Sequence, residues 1–234
     1  LPRRVWVRAS APRALGVLAT RLWAREPGLM GTQIRAVLRA ASAGEVELMF
    51  PLVEGPEHMR MLRDRVRACA DALRADGIEV PEIPLGAMVE LPSAAVMADA
   101  LCAVADFLSV GTNDLVQYTL GVDRTNPEVA HLADPLHPAV LRLLSQTVEA
   151  ADASGTPLTM CGDMATDLVA LPVALGLGFR CFSVPVSMLP FVQELIRRVD
   201  RAALTTLGAQ ALRETSTAAV RALVREALEG TLGG

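Results

Sequence analysis

Glu90 closes the run Gly-Ala-Met-Val-Glu-Leu-Pro, in which small and apolar residues lead into a carboxylate and Pro follows. Such a carboxylate is costly to bury unless it is paired or coordinates a cation, so Glu90 is a candidate ligand for a hard metal. The ordinary alternative is an acid that caps a helix or pairs with a loop. Ser-Val-Gly-Thr-Asn-Asp-Leu at 109–115 sets hydroxyl, amide and carboxylate oxygens on Thr112, Asn113 and Asp114 directly after Gly111. Glu90 and Asp114 together suit Mg2+, which takes one or two protein carboxylates and fills its other positions with water and substrate phosphate. An Asn-Asp turn capping a helix is the bland reading of the same residues. Arg124 offers a planar fork for phosphate or carboxylate, against the ordinary case of a surface Arg. Arg8 follows an apolar run directly, where a strand-end salt bridge is the alternative. Cys161 precedes a Gly at another run's end, open to a ligand as nucleophile or proton donor. Nucleophilic use calls for a His partner, and none of His58, His131 and His137 can be assigned to it. Proton donation needs only reach and a suitable pKa. Cys69, Cys102 and Cys181 read as buried structural cysteines.

The elements that must position these residues are short apolar runs at 5–9, 46–52, 84–90, 106–111, 157–161 and 180–184. They do not alternate apolar with polar, as expected of parallel strands covered on both faces. Helical patterns lie between and after them, at 56–75, 92–104, 137–153, 188–199 and about 220–228. In the first, Met59, Leu62, Val66, Cys69 and Leu73 recur every three or four residues. Repeated strand–helix units predict a parallel sheet, either doubly wound or a (β/α) barrel. The Gly-rich dinucleotide fingerprint is missing. Reactive residues stand at the C-terminal ends of several runs, which converge at one mouth in a barrel. The barrel is therefore the expected fold.

Composition narrows the function classes. At 234 residues and 52% apolar content the chain is no disordered segment. It has no unbroken apolar window of ~18 residues, so no membrane span is expected. Its 22 basic and 26 acidic residues give a net charge of -4, and aromatics make up 3%; nucleic acid is not an expected partner. Every basic residue is Arg. The cysteine spacing matches no zinc site, and a reducing, cytoplasmic setting is expected. The N-terminal residues do not read as a signal peptide, and the chain is expected to be a fragment.

Taken together, the blocks resemble the C-terminal barrel of Enzyme I of the phosphoenolpyruvate:sugar phosphotransferase system. The matching stretches are Arg35 to Ser42, Leu48 to Pro51, Met88 to Pro92, Phe107 to Thr119, Val122 to Arg124, Asp134 to Pro138 and Met160 to Gly162. The Gly-Thr-Asn-Asp-Leu block is shared with pyruvate phosphate dikinase and phosphoenolpyruvate synthase. The Gln-Tyr-Thr and Val-Asp-Arg that follow look more like Enzyme I. The resemblance implies that Glu90 and Asp114 bind Mg2+, and that Asn113, Asp114 and Arg124 hold phosphoenolpyruvate (PEP). It implies that Cys161 protonates the methylene carbon as the enolate becomes pyruvate, and that Arg8 matches a phosphate-binding Arg. It further implies that the phosphoryl group passes to a His on a separate domain, and from there to a histidine-containing phosphocarrier protein.

Several positions depart from the family. Its Leu-Gly-x-Arg site reads Leu15-Gly-Val-Leu18, so Leu18 stands where the family has an active-site Arg. Its Cys-Gly-Glu reads Cys161-Gly-Asp163, and its Ala-Gly-Asp reads Ala165-Thr-Asp167. The first barrel strand and the phosphohistidine domain have no counterpart in the chain. The expectation is one PEP-binding domain over 1–234, an α/β chain forming an incomplete (β/α)8 TIM-type barrel. Its site blocks span 84–164, a C-terminal helical extension spans 200–234, and the third strand is Leu15 to Val17. A second copy or another chain would cover the open edge. The rivals are a degenerate, non-catalytic PEP-binding or dimerisation module, and a barrel of the dikinase or synthase type.

Overall fold

A computed structural model describes residues 3–6 and 19–232. Five strands follow one another: β1 (Arg3–Trp6), β2 (Val46–Phe50), β3 (Leu85–Val89), β4 (Phe107–Gly111) and β5 (Leu158–Cys161). All pair in parallel, and their order in the sheet is their order in the chain. A doubly wound sheet reverses its order at a switch point; this one does not, which is the arrangement of a barrel wall.

The two faces of the sheet carry different residues because strand side chains alternate. Leu48, Phe50, Leu85, Ala87, Val89, Leu108, Val110 and Met160 belong to the main core shared with the helices. Met49, Met88 and Phe107 form a second, smaller cluster, against which Cys161 packs. The residues of β3 and β4 are all buried, which explains why these runs show no polar alternation. Gly86 is required within β3: a Cβ there would overlap the Phe107 ring of β4.

The helices are α1 (Ala19–Arg25), α2 (Pro27–Ala41), α3 (Pro56–Ala75), α4 (Pro92–Val96), α5 (Ala98–Cys102), α6 (Thr112–Leu120), α7 (Pro138–Ser154), α8 (Leu171–Leu177), α9 (Leu189–Arg198), α10 (Arg201–Ala211) and α11 (Thr217–Leu232). Helix α3 matches its predicted span and buries Met59, Leu62, Val66, Cys69, Ala70 and Leu73. Helix α7 starts at Pro138, and the His137 ring accepts from the Ala139 N–H at 3.2 Å. Trp23 of α1 meets Phe50 of β2 edge to face, with centroids 6.2 Å apart. Asp106 clamps the start of the wall. Its carboxylate accepts from Leu85 N–H at 2.7 Å and from Arg63 of α3 at 3.0 Å. Near the C-terminus, Arg221 of α11 pairs with Asp134 at 2.8 Å, and this bond raises the guanidinium's pKa further.

Three expectations are revised. The predicted helix over 92–104 is two short helices that meet at Met97 (φ -101°, ψ 24°). The predicted strand at 180–184 is a single bridge, Met160 to Phe182, closed by Met160 N–H to Cys181 O (2.9 Å) and Ser183 N–H to Met160 O (2.8 Å). Pro185 follows at once and cannot donate to a ladder. Cys181 is exposed rather than buried, unlike Cys69 and Cys102. The run at 5–9 is represented by Arg3–Trp6, while Leu15 to Val17 lie outside the described residues. Among the described residues no helix is long and apolar enough to cross a membrane.

Candidate functional site

The C-terminal ends of β2, β3, β4 and β5 lie side by side because the strands are parallel and sequential. Glu90, one residue past β3, is 4% exposed. Its Oε1 accepts from the Leu52 N–H at 2.7 Å, across from the end of β2. Leu52 is the single non-glycine residue with positive φ (50°) among the described residues. Backbone in this region is costly and persists where its surroundings impose it. The turn is held from the other side by the Thr20 hydroxyl, 3.4 Å from the carbonyls of Pro51 and Leu52. Glu90 thus pairs with a loop backbone, and the N-cap of α4, Leu91, makes no side-chain bond.

Gly111 ends β4 beside this carboxylate. A Cβ there would lie 3.0 Å from Glu90 Oε2 and 2.9 Å from Met88 Sδ, so Gly lets both side chains pack closely against the β4 backbone. Helix α6 begins at once, which puts Asn113 and Asp114 in its first turn. Neither acts as a cap. Asn113 Oδ1 instead accepts from the Asp163 N–H at 2.7 Å, and the Thr112 hydroxyl donates to Cys161 O at 3.0 Å. Gly162, with φ 96°, makes this close approach of β4 and β5 feasible: a side chain there would overlap Thr112 Oγ1 and crowd Asn113 Oδ1.

Asp114 Oδ1 lies 3.7 Å from the Arg124 guanidinium. The Arg124 N–H donates to Oε1 of buried Gln117 at 3.1 Å, which seats the arginine's backbone over α6. Beside it the Asp123 carboxyl is held below its usual range by the Thr125 hydroxyl and N–H. Tyr118, one turn along α6 from Asp114, has its hydroxyl pKa raised by burial first and then by Asp114 and Glu90. Both carboxylates thus act on one neighbourhood. The Cys161 thiol donates to Val110 O at 3.3 Å and receives the Ser109 hydroxyl at 3.6 Å. His58 Nδ1 accepts from the Glu54 N–H at 3.4 Å, and His137 caps α7.

The structure gathers Glu90, Asn113, Asp114, Arg124 and Cys161 at one end of the sheet; Arg8 and Leu18 lie outside the described residues. The sequence reading missed Leu52, Ser109, Gln117 and Tyr118. Leu52 contributes a backbone N–H, which no side-chain pattern can signal. Ser109, Gln117 and Tyr118 lay within a recognised block without an assigned task. The described residues hold no cluster of three or more His, Cys, Asp or Glu, so a metal here would rest on two carboxylates. The buried Glu90 and the half-buried Asp114 fit Mg2+, which keeps much of its shell in water and phosphate oxygen.

Oxygen donors, a guanidinium and a thiol lie at the C-terminal rim of a parallel β/α wall, the face where barrel-type enzymes carry their sites. The chain belongs to the family described as PEP-utilising enzyme, PEP-binding domain, which matches residues 8–201. It is similar to the phosphoenolpyruvate-protein phosphotransferase of Listeria monocytogenes, at 39% identity over 91% of this chain and 37% of the relative. It is also 41% identical to a multiphosphoryl transfer protein of Xanthomonas campestris, over 89% of this chain and 24% of that one. Among solved structures, a citrate lyase from Burkholderia xenovorans shares the fold. Its TM-score is 0.53 at 20% identity, covering 86% of this chain and 69% of that one. The chain spans between about a quarter and little more than a third of the length of these curated relatives.

Proposed function

We propose that this chain is the PEP-binding barrel of a PEP-protein phosphotransferase, folded as one domain of (β/α)8 type over 1–234. The convergence of Glu90, Asn113, Asp114, Arg124 and Cys161 at neighbouring strand ends carries this reading. Glu90 and Asp114 would hold Mg2+, which when bound neutralises charge on the phosphoryl group. Arg124 and Asn113 orient the anionic substrate, with Arg8 as a further phosphate partner. Bond breaking between phosphorus and the C2 oxygen leaves an enolate as phosphorus joins a histidine nitrogen. That histidine belongs to a separate domain, which then serves a histidine-containing phosphocarrier protein in the cytoplasm. Cys161 delivers its S–H proton to C3, forming pyruvate and a thiolate.

Calorimetric titration tests the reading: saturable PEP binding that requires Mg2+ is expected, and its absence would reject the assignment. Leu18, at a position where the resemblance expects Arg, favours a second reading in which the chain binds PEP without turnover. Charge-assisted contacts contribute roughly 1.5–3 kcal/mol each, so one lost Arg weakens the ligand by about tenfold or more. Binding without pyruvate release, when a phosphoacceptor domain is supplied, would favour this binding module.

A further inference from the structure

We infer that Ser109 is a positioning residue for the Cys161 thiol, its buried hydroxyl steadying the thiolate left when the proton departs. The inference rests on the reading of Cys161 as the proton donor. Ser109 stands in the middle of β4, 1% exposed, with Met88 of β3 and Thr159 of β5 as its register partners. A hydroxyl this deep in an apolar wall needs a partner, and the one it finds is Cys161 Sγ at 3.6 Å. The thiol in turn gives its hydrogen to Val110 O at 3.3 Å. The two bonds respond oppositely to proton loss. A carbonyl only accepts, so the Val110 bond vanishes with the proton. A thiol sulfur is a weak acceptor and a thiolate a strong one, so the Ser109 bond tightens. An interaction that strengthens along the reaction is the kind that raises a rate.

In the step itself the S–H bond breaks and a C–H bond forms at C3 of the enolate. The electron pair of the S–H bond stays on sulfur, and the Ser109 O–H bond remains intact throughout. Water returns the proton to the thiolate afterwards.

Thiol alkylation reads this interaction without Mg2+ or PEP. The full chain is treated with iodoacetamide at one mildly alkaline pH, and modification of Cys161 is followed by peptide mass spectrometry, with exposed Cys181 as internal reference. Ser109→Ala should slow alkylation of Cys161 by about three- to tenfold. The loss of thiolate is partly offset by the greater nucleophilicity of a more basic sulfur. Cys181 should keep its rate, and Ser109→Thr, which retains the hydroxyl, should restore Cys161. Truncation to Ala enlarges the space around the sulfur, so a merely structural effect would speed the reaction. If Ser109→Ala does not fold, Ser109→Gly carries the same comparison. An unchanged or faster rate at Cys161 in the folded variant overturns the role, even where PEP titration succeeds. A slowed rate together with failed PEP titration supports the Ser109–Cys161 interaction and rejects the proposed function instead.

Discussion

Glu90 is fixed by a neighbour that contributes only its backbone. A Gln at this position keeps an oxygen for the Leu52 N–H while removing the charge. Glu90→Gln is therefore expected to shift Tm by less than about 5 °C and to abolish the Mg2+-dependent heat of PEP binding. Retained Mg2+-dependent binding would show that Glu90 only pairs with the β2 turn. His58, at the start of α3, has its pKa lowered, first by burial and also by Arg21, against an opposing pull from Glu54. The unfolded chain takes up this proton at a higher pH than the folded one. Stability from His58 is therefore complete above the unfolded value of about 6.5 and is lost as pH falls toward the folded value. Scanning calorimetry across this window should show Tm falling with pH, less steeply in His58→Asn; equal slopes would remove His58 as the cause.

At the scale of elements, the tightest contact is between α8 and α10. Gly176 and Gly208 face one another so closely that a Cβ on either overlaps backbone of the other helix, Leu204 O in the first case. Backbone cannot give way as a side chain tip can. Gly176→Ala and Gly208→Ala should each cost about 1–3 kcal/mol or more in denaturant unfolding. Gly28, in the first turn of α2, has nothing within 4 Å of its missing Cβ. Gly28→Ala should be neutral or stabilise by up to about 1 kcal/mol. If the two classes behaved alike, the helix crossing would be looser than described. Element-level legibility followed periodicity. Helices α3 and α7 appear where their apolar stripes predicted, because each buries one face in the main core. The break at Met97 had no sequence signal, since neither Gly nor Pro marks it.

For the molecule as a whole, ligand linkage gives the broadest test. PEP and Mg2+ together, at about 100 times the dissociation constant, should stabilise the fold by about 2.7 kcal/mol, and PEP without the cation should not. Cys161→Ala should keep that stabilisation while slowing pyruvate formation in the presence of a phosphoacceptor domain. If both are lost together, the thiol serves structure rather than proton transfer.

Much of the architecture was legible in the residues themselves. Runs apolar on both faces, separated by amphipathic stripes, already implied a parallel β/α wall, and the types and positions of Glu90, Asn113, Asp114, Arg124 and Cys161 already marked them as candidates for one site. These are local properties: strand period, helix period and side-chain functional group travel with the sequence. The tertiary structure alone decided that Leu52 N–H meets Glu90, that Ser109 lies under Cys161, and that Gly111 and Gly162 let neighbouring strand ends approach closely. Each of these depends on the register between strands distant in the chain. The Leu52 contact uses a backbone atom, which leaves no imprint on residue type, and the others pair residues whose types do not name their partners.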